Sequence, residues 1–154
     1  MDDVKIDPEH ILALLNRLNG TGSDDEWLAA NELRTLGAAL PRLLLDHYRA
    51  SRGWKARSSC VYHAARFALE SEDAIALGLE AIRDKSKVVR YRGALLLANS
   101  QRKEALSFLR AALTHLGDGP GANDLLAAID AIESGNPNYF IDREHTGKIK
   151  LTIS

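Results

Sequence analysis

Asp84-Lys85-Ser86-Lys87-Val88-Val89-Arg90-Tyr91-Arg92-Gly93-Ala94-Leu95-Leu96-Leu97-Ala98 is a polar turn that runs into a helix rich in small residues. Gly93 and Ala94 let that helix approach a neighbour closely, and Ser86 to Asn99 forms the first half of a helical pair. Its partner runs from Gln101 to Leu116. Moving back along the chain, Trp54 to Leu69 places Ala56, Cys60, Val61, Ala64, Ala65 and Ala68 on one face, and Ser71-Glu72-Asp73 caps a second helix carrying Ile75, Leu79 and Ile82. The two pairs superpose: Arg57 falls on Arg90 and Ala65 on Ala98, while Ala74 falls on Ala105 and Ala81 on Ala112. A recurrence of this length lies near the range of paired-helix solenoids.

The pattern extends toward the N-terminus. Ser23-Asp24-Asp25-Glu26 has the capping-box form and opens a helix holding Ala29, Ala30, Leu33, Leu36 and Leu40. Pro41 fits the first turn of a further helix that carries Leu43, Leu44 and Tyr48 and stops before Gly53. Asp7-Pro8 to Asn19-Gly20 is a helix of its own, which makes residues 1–23 a capping segment ahead of the repeats at 24–134. After the connector Gly117 to Gly121, a last helix bears Leu125, Leu126, Ile129 and Ile132 and ends at Gly135. The period then changes: Lys148 to Ile153 alternates strictly, Tyr139-Phe140-Ile141 is β-prone, and Glu144 to Gly147 can turn between them. Residues 136–154 are therefore expected to form a β-hairpin, with Ile149, Leu151 and Ile153 on the last helices and a free edge open to a partner strand as the functional alternative.

The segment from Asp84 to Arg90, with the small-residue helix after it, resembles the HEAT-like repeat family. The likeness covers roughly residues 24–134. It implies an all-α, right-handed α-α superhelix of about eight helices, here with the C-terminal β-hairpin appended, as one domain over residues 1–154. It also implies that Asp84 and Arg90 tie neighbouring repeats together, and that the second helices line a concave surface that grips a partner. Their polar stripe supplies Arg42, Arg49, Arg83, Lys103 and Arg110 as the expected partner-binding residues.

Composition narrows the function classes. A chain of 154 residues, 45% hydrophobic and 27% charged, has the balance of a globular domain. Its start lacks a basic and apolar leader, no long apolar run occurs, and a single cysteine excludes an internal disulfide. A cytoplasmic setting without a membrane partner is the expectation. The net charge of −1 hides an asymmetry, since residues 42–110 hold fourteen basic and seven acidic side chains while both ends are acidic.

His10, His47, His63, His115 and His145 have no metal-binding spacing, so no metal or other cofactor is expected. Cys60 reads as a packed core thiol, Trp54 as a core or inter-repeat residue, and the paired acids as helix caps. No catalytic constellation or small-molecule substrate emerges. The expected function is non-catalytic recognition of another protein, and the family resemblance implies a bacterial adaptor or an immunity protein that inhibits a cognate toxin. Nucleic-acid binding by the basic centre is the alternative.

Overall fold

A computed structural model describes residues 7–153. The first six residues of the expected capping segment, and Ser154 at the end of the expected hairpin, lie outside the described residues. Among those described, the fold is all-helical: α1 (Pro8–Asn16), α2 (Asp24–Arg34), α3 (Leu40–Ala50), α4 (Trp54–Ala64), α5 (Glu72–Ala81), α6 (Lys87–Ser100), α7 (Ala105–Leu116) and α8 (Ala122–Glu133).

Serine caps and Pro41 stand at helix starts as expected, whereas α1 ends at Asn16, short of Gly20, and α2 ends at Arg34, so that Leu36 lies in the turn after it and Leu40 opens α3. Ser23, Ser71 and Ser86 accept hydrogen bonds from the amides of Glu26, Ala74 and Val89, and Pro41 sits in the first turn of α3. Gln101 takes a left-handed conformation at φ 55° and closes α6. The helix read from Trp54 to Leu69 tightens into a 3-10 turn at Ala65–Phe67.

Helices α3, α5 and α7 pack in one row, α4, α6 and α8 in a second, and the rows meet through α3 with α4, α5 with α6, and α7 with α8. The continuous core between them includes Leu44, Leu77, Ala81, Leu96, Leu97 and Leu109. Gly93 sits at the closest approach of α6 to the end of α5. A Cβ there would lie 2.7 Å from the Ala81 Cβ and 2.9 Å from the Ile82 amide nitrogen.

The C-terminal β-hairpin is not formed: the described residues contain no strand. Pro137–Phe140 instead winds into a 3-10 turn, which buries Phe140 completely against the helices. A strand at residues 139–141 would forfeit that burial. The intended turn is held from inside by Asp142, which is buried and accepts from the Thr146 amide and hydroxyl and from the Gly147 amide. Residues 148–153 continue without turn or bend, Leu151 and Ile153 half-buried and Ile149 47% exposed.

Trp54 is also placed differently from expectation. It opens α4 with 45% of its surface exposed and Lys55 over its ring, so it is not a core residue.

Candidate functional site

Three arrangements concern function, beginning with the junction at Asp84. Its carboxylate accepts from Arg57 Nε and Nη2 at 2.8 and 3.1 Å, from Tyr48 Oη at 2.7 Å and from the Ser86 amide at 2.9 Å. Burial raises the Asp84 carboxyl, yet Arg57, Ser86 and Tyr48 together leave it below its ordinary value, and burial with the same Asp84 contact pushes the Tyr48 phenol up. Arg90 donates to the Asp84 main-chain carbonyl at 2.9 Å, so it braces the turn while Arg57 supplies the countercharge. Asp84 thereby joins α3, α4 and the start of α6. The basic residue that matches Arg90 one repeat earlier is the one that reaches across, a link that their alignment left unread.

The second arrangement is the row of side chains expected to bind a partner. Arg42 pairs with Asp46 and Asp73, Arg49 makes a forked contact with Glu80, and Arg110 pairs with Glu133. Asp73 and Glu80 lie on α5, the next helix of that row, Glu133 on α8 and Asp46 on α3 itself, so three of the five charges are matched from within. Arg83 and Lys103 remain exposed, with no ion pair among the described residues. Five of the fourteen basic residues of the centre, Arg42, Arg49, Arg57, Arg102 and Arg110, are paired in this way, the exposed pairs each worth about 0–1 kcal/mol.

The third arrangement is a cleft of about 350 Å3 between α2, α4 and α6, lined among others by Trp27, Glu26, Ser59, Tyr62, His63 and Arg92. The loop between α1 and α2 shapes its floor. Gly20 has φ +75° and lies so close to the start of α4 that a Cβ would come within 2.3 Å of the Lys55 carbonyl oxygen. That approach aims the Gly20 and Gly22 amides at Glu26 Oε2 and Oε1, each at 2.8 Å, and Ser59 donates its hydroxyl to the same carboxylate. Burial raises the Glu26 carboxyl, but Ser59, the two amides and nearby His63 bring it below its ordinary value. The acid read as half of a capping box is therefore a buried, satisfied anion that holds α2 to α4.

Cations gather on the other side. His63 is 9% exposed, its Nδ1 lacks a partner among the described residues, and burial pushes its pKa down to about 4, with Arg34, Arg66 and Arg92 adding to the depression against Glu26. Arg34 bonds Asn31 Oδ1, Arg92 lies over the Tyr62 ring at 4.7 Å, and Arg66 is exposed. None of the three has a carboxylate partner among the described residues. Trp27, 60% exposed, forms the lip. An aromatic wall, a concavity and the Arg92 guanidinium occupy one face, with Arg34 and Arg66 within electrostatic reach of His63. Trp, Tyr and Arg are the residue types that dominate binding hot spots.

Cys60 is fully buried, and burial pushes its thiol up to about 12, which leaves it unreactive. Among the described residues no helix is long and apolar enough to cross a membrane. Comparison with protein-family models, curated proteins and solved structures found no match, and so identifies no HEAT-like family.

Proposed function

We propose that this chain is a non-catalytic helical-repeat protein of the cytoplasm, its paired helices stacked as a right-handed HEAT-like superhelix, that binds another protein. The observation that carries this reading is the cleft face. Arg92 lines the concavity together with the exposed Trp27 and has no carboxylate partner among the described residues, and Arg34 and Arg66, likewise without one, add positive charge around His63. Unpaired cations steer a partner that carries carboxylates and offset the cost of desolvating them, and aromatic anchors add apolar burial.

We accordingly assign the contact to the row containing α4 and α6 with α2 beside it, in preference to the stripe on α3, α5 and α7, where Arg42, Arg49 and Arg110 are already paired. An adaptor and an inhibitor of a toxin both require only such a surface, without chemistry of their own.

Affinity purification of the tagged chain from its own cells, followed by mass spectrometry, tests the reading. Wild type should retain a protein that the Trp27→Ala/Arg66→Glu double variant loses. A nucleic-acid role would instead give a mobility shift of oligonucleotides that is abolished by the same variant, and that result would overturn the proposal.

A further inference from the structure

Residues 148–153 are a strand in sequence without a strand beside them. The segment Lys148-Ile149-Lys150-Leu151-Thr152-Ile153 runs with neither turn nor bend, and it is fastened to the body at two points. Asp142 grips the chain just before it, and the Leu151 amide donates to Asn138 Oδ1 at 2.8 Å. Among the described residues, the only other hydrogen bond of the segment is from the Lys148 amide to Thr146 Oγ1.

In an extended chain, successive peptide groups point to opposite edges. Leu151 turns its amide toward Asn138, so the amides and carbonyls of Ile149, Leu151 and Ile153 share the body side. Those of Lys150 and Thr152 face outward, and among the described residues they meet no partner. That outward pair has the spacing at which an antiparallel neighbour exchanges its bonds. Most of the ordering cost of a strand has been met in advance by the two clamps.

The chemistry beside this edge is cationic. Lys148 and Lys150 are exposed and project on one face, with no ion pair to blunt them among the described residues. At the far end Thr152 and Ile153 line a small cavity with Tyr62, Ala65, Leu95 and Arg92, which brings the edge up to the arginine side of the cleft.

We propose that the outward edge of residues 148–153 accepts an extended strand of the partner carrying carboxylates at alternate positions, paired through the backbone of Lys150 and Thr152. Its acidic side chains then lie along Lys148, Lys150 and Arg92. This deepens the protein-binding reading given above and rests on it; it names the conformation and charge of the segment recognised.

The test uses the whole chain and a blocked hexapeptide of alternating Glu and Val, measured by isothermal titration calorimetry. The peptide should bind, more weakly at high salt. N-methylation of its alternate amides on the pairing edge should weaken it about tenfold, the effect of removing one or two hydrogen bonds. Thr152→Pro should do the same while leaving the melting temperature unchanged, because the Thr152 amide has no partner among the described residues. Lys150→Glu should weaken the acidic peptide and favour a Lys/Val counterpart.

Absence of binding, or equal affinity for the N-methylated peptide, would overturn the strand pairing. So would a chain that is dimeric as wild type and monomeric as Thr152→Pro, since a second copy would then own the edge. If Thr152→Pro still captures the partner that Trp27→Ala/Arg66→Glu loses, the strand proposal fails and protein binding through the cleft stands.

Discussion

Arg57 and Asp84 are 9% and 5% exposed at their side chains, and among the described residues each is the other's only ion-pair partner. Removing one leaves a buried charge unpaired, so Arg57→Ala should cost about 3–5 kcal/mol in urea unfolding. Arg49→Ala breaks an equally well-formed contact with Glu80, but in solvent, and should cost no more than about 1 kcal/mol. Equal losses would mean that burial does not distinguish the two. His63 makes a second prediction at this scale. Its folded pKa, about 4, lies below its ordinary 6.5, so between these values the unfolded chain takes up a proton that the native chain does not. Stability from this group is complete above 6.5 and declines as pH falls toward 4, by about 3 kcal/mol in full. Glu26 and Asp84, whose carboxyls are lowered, are lost only at still more acid pH, below their ordinary 4.5 and 3.8. In His63→Phe the slope between pH 6.5 and 4 should flatten, as read by denaturant midpoints; an unchanged slope would show that His63 titrates normally. The sequence made Asp84 stand out as a junction residue. It could not reveal that Glu26 faces Ser59, or that His63 is buried, because both facts depend on how closely the Gly20 loop approaches α4.

The helices themselves were largely legible, since serine caps, prolines and glycines act within a turn of where they stand. Gly93 is such a case, and the structure gives its approach a magnitude. Even Gly93→Ala puts a methyl against the α5 backbone near Ile82, which cannot rotate aside, and should destabilise by about 1–3 kcal/mol in thermal unfolding. Wild-type stability in that variant would mean that α6 can slide away from α5 at no cost. The tail failed for a reason that alternation cannot express. Period-two patterning describes what a segment prefers and says nothing about whether a neighbour is available to pair with it. Phe140 found more burial as part of a 3-10 turn, Asp142 satisfied the loop amides, and the alternating segment was left extended and single.

Charge is where the whole molecule departs most from its sequence. Fourteen basic residues over 42–110 read as a positive centre, but Arg42, Arg49, Arg57, Arg102 and Arg110 all face acids supplied by other helices or by their own. Pairing across helices is invisible to a count along the chain. Nine of the fourteen, among them Arg66, Arg83, Arg92 and Lys103, have no ion pair among the described residues, and of these Arg92 lines the cleft beside Tyr62 and Trp27, the face assigned to the partner. Surface plasmon resonance of the captured partner, at low and high salt, compares it directly with the stripe. Trp27→Ala/Arg66→Glu should slow association about tenfold or more at low salt and lose that difference at high salt, while Arg83→Glu/Lys103→Glu should associate as wild type does. The opposite pattern, with the stripe variant slowed and the cleft variant unaffected, would contradict the assignment and return the interface to α3, α5 and α7.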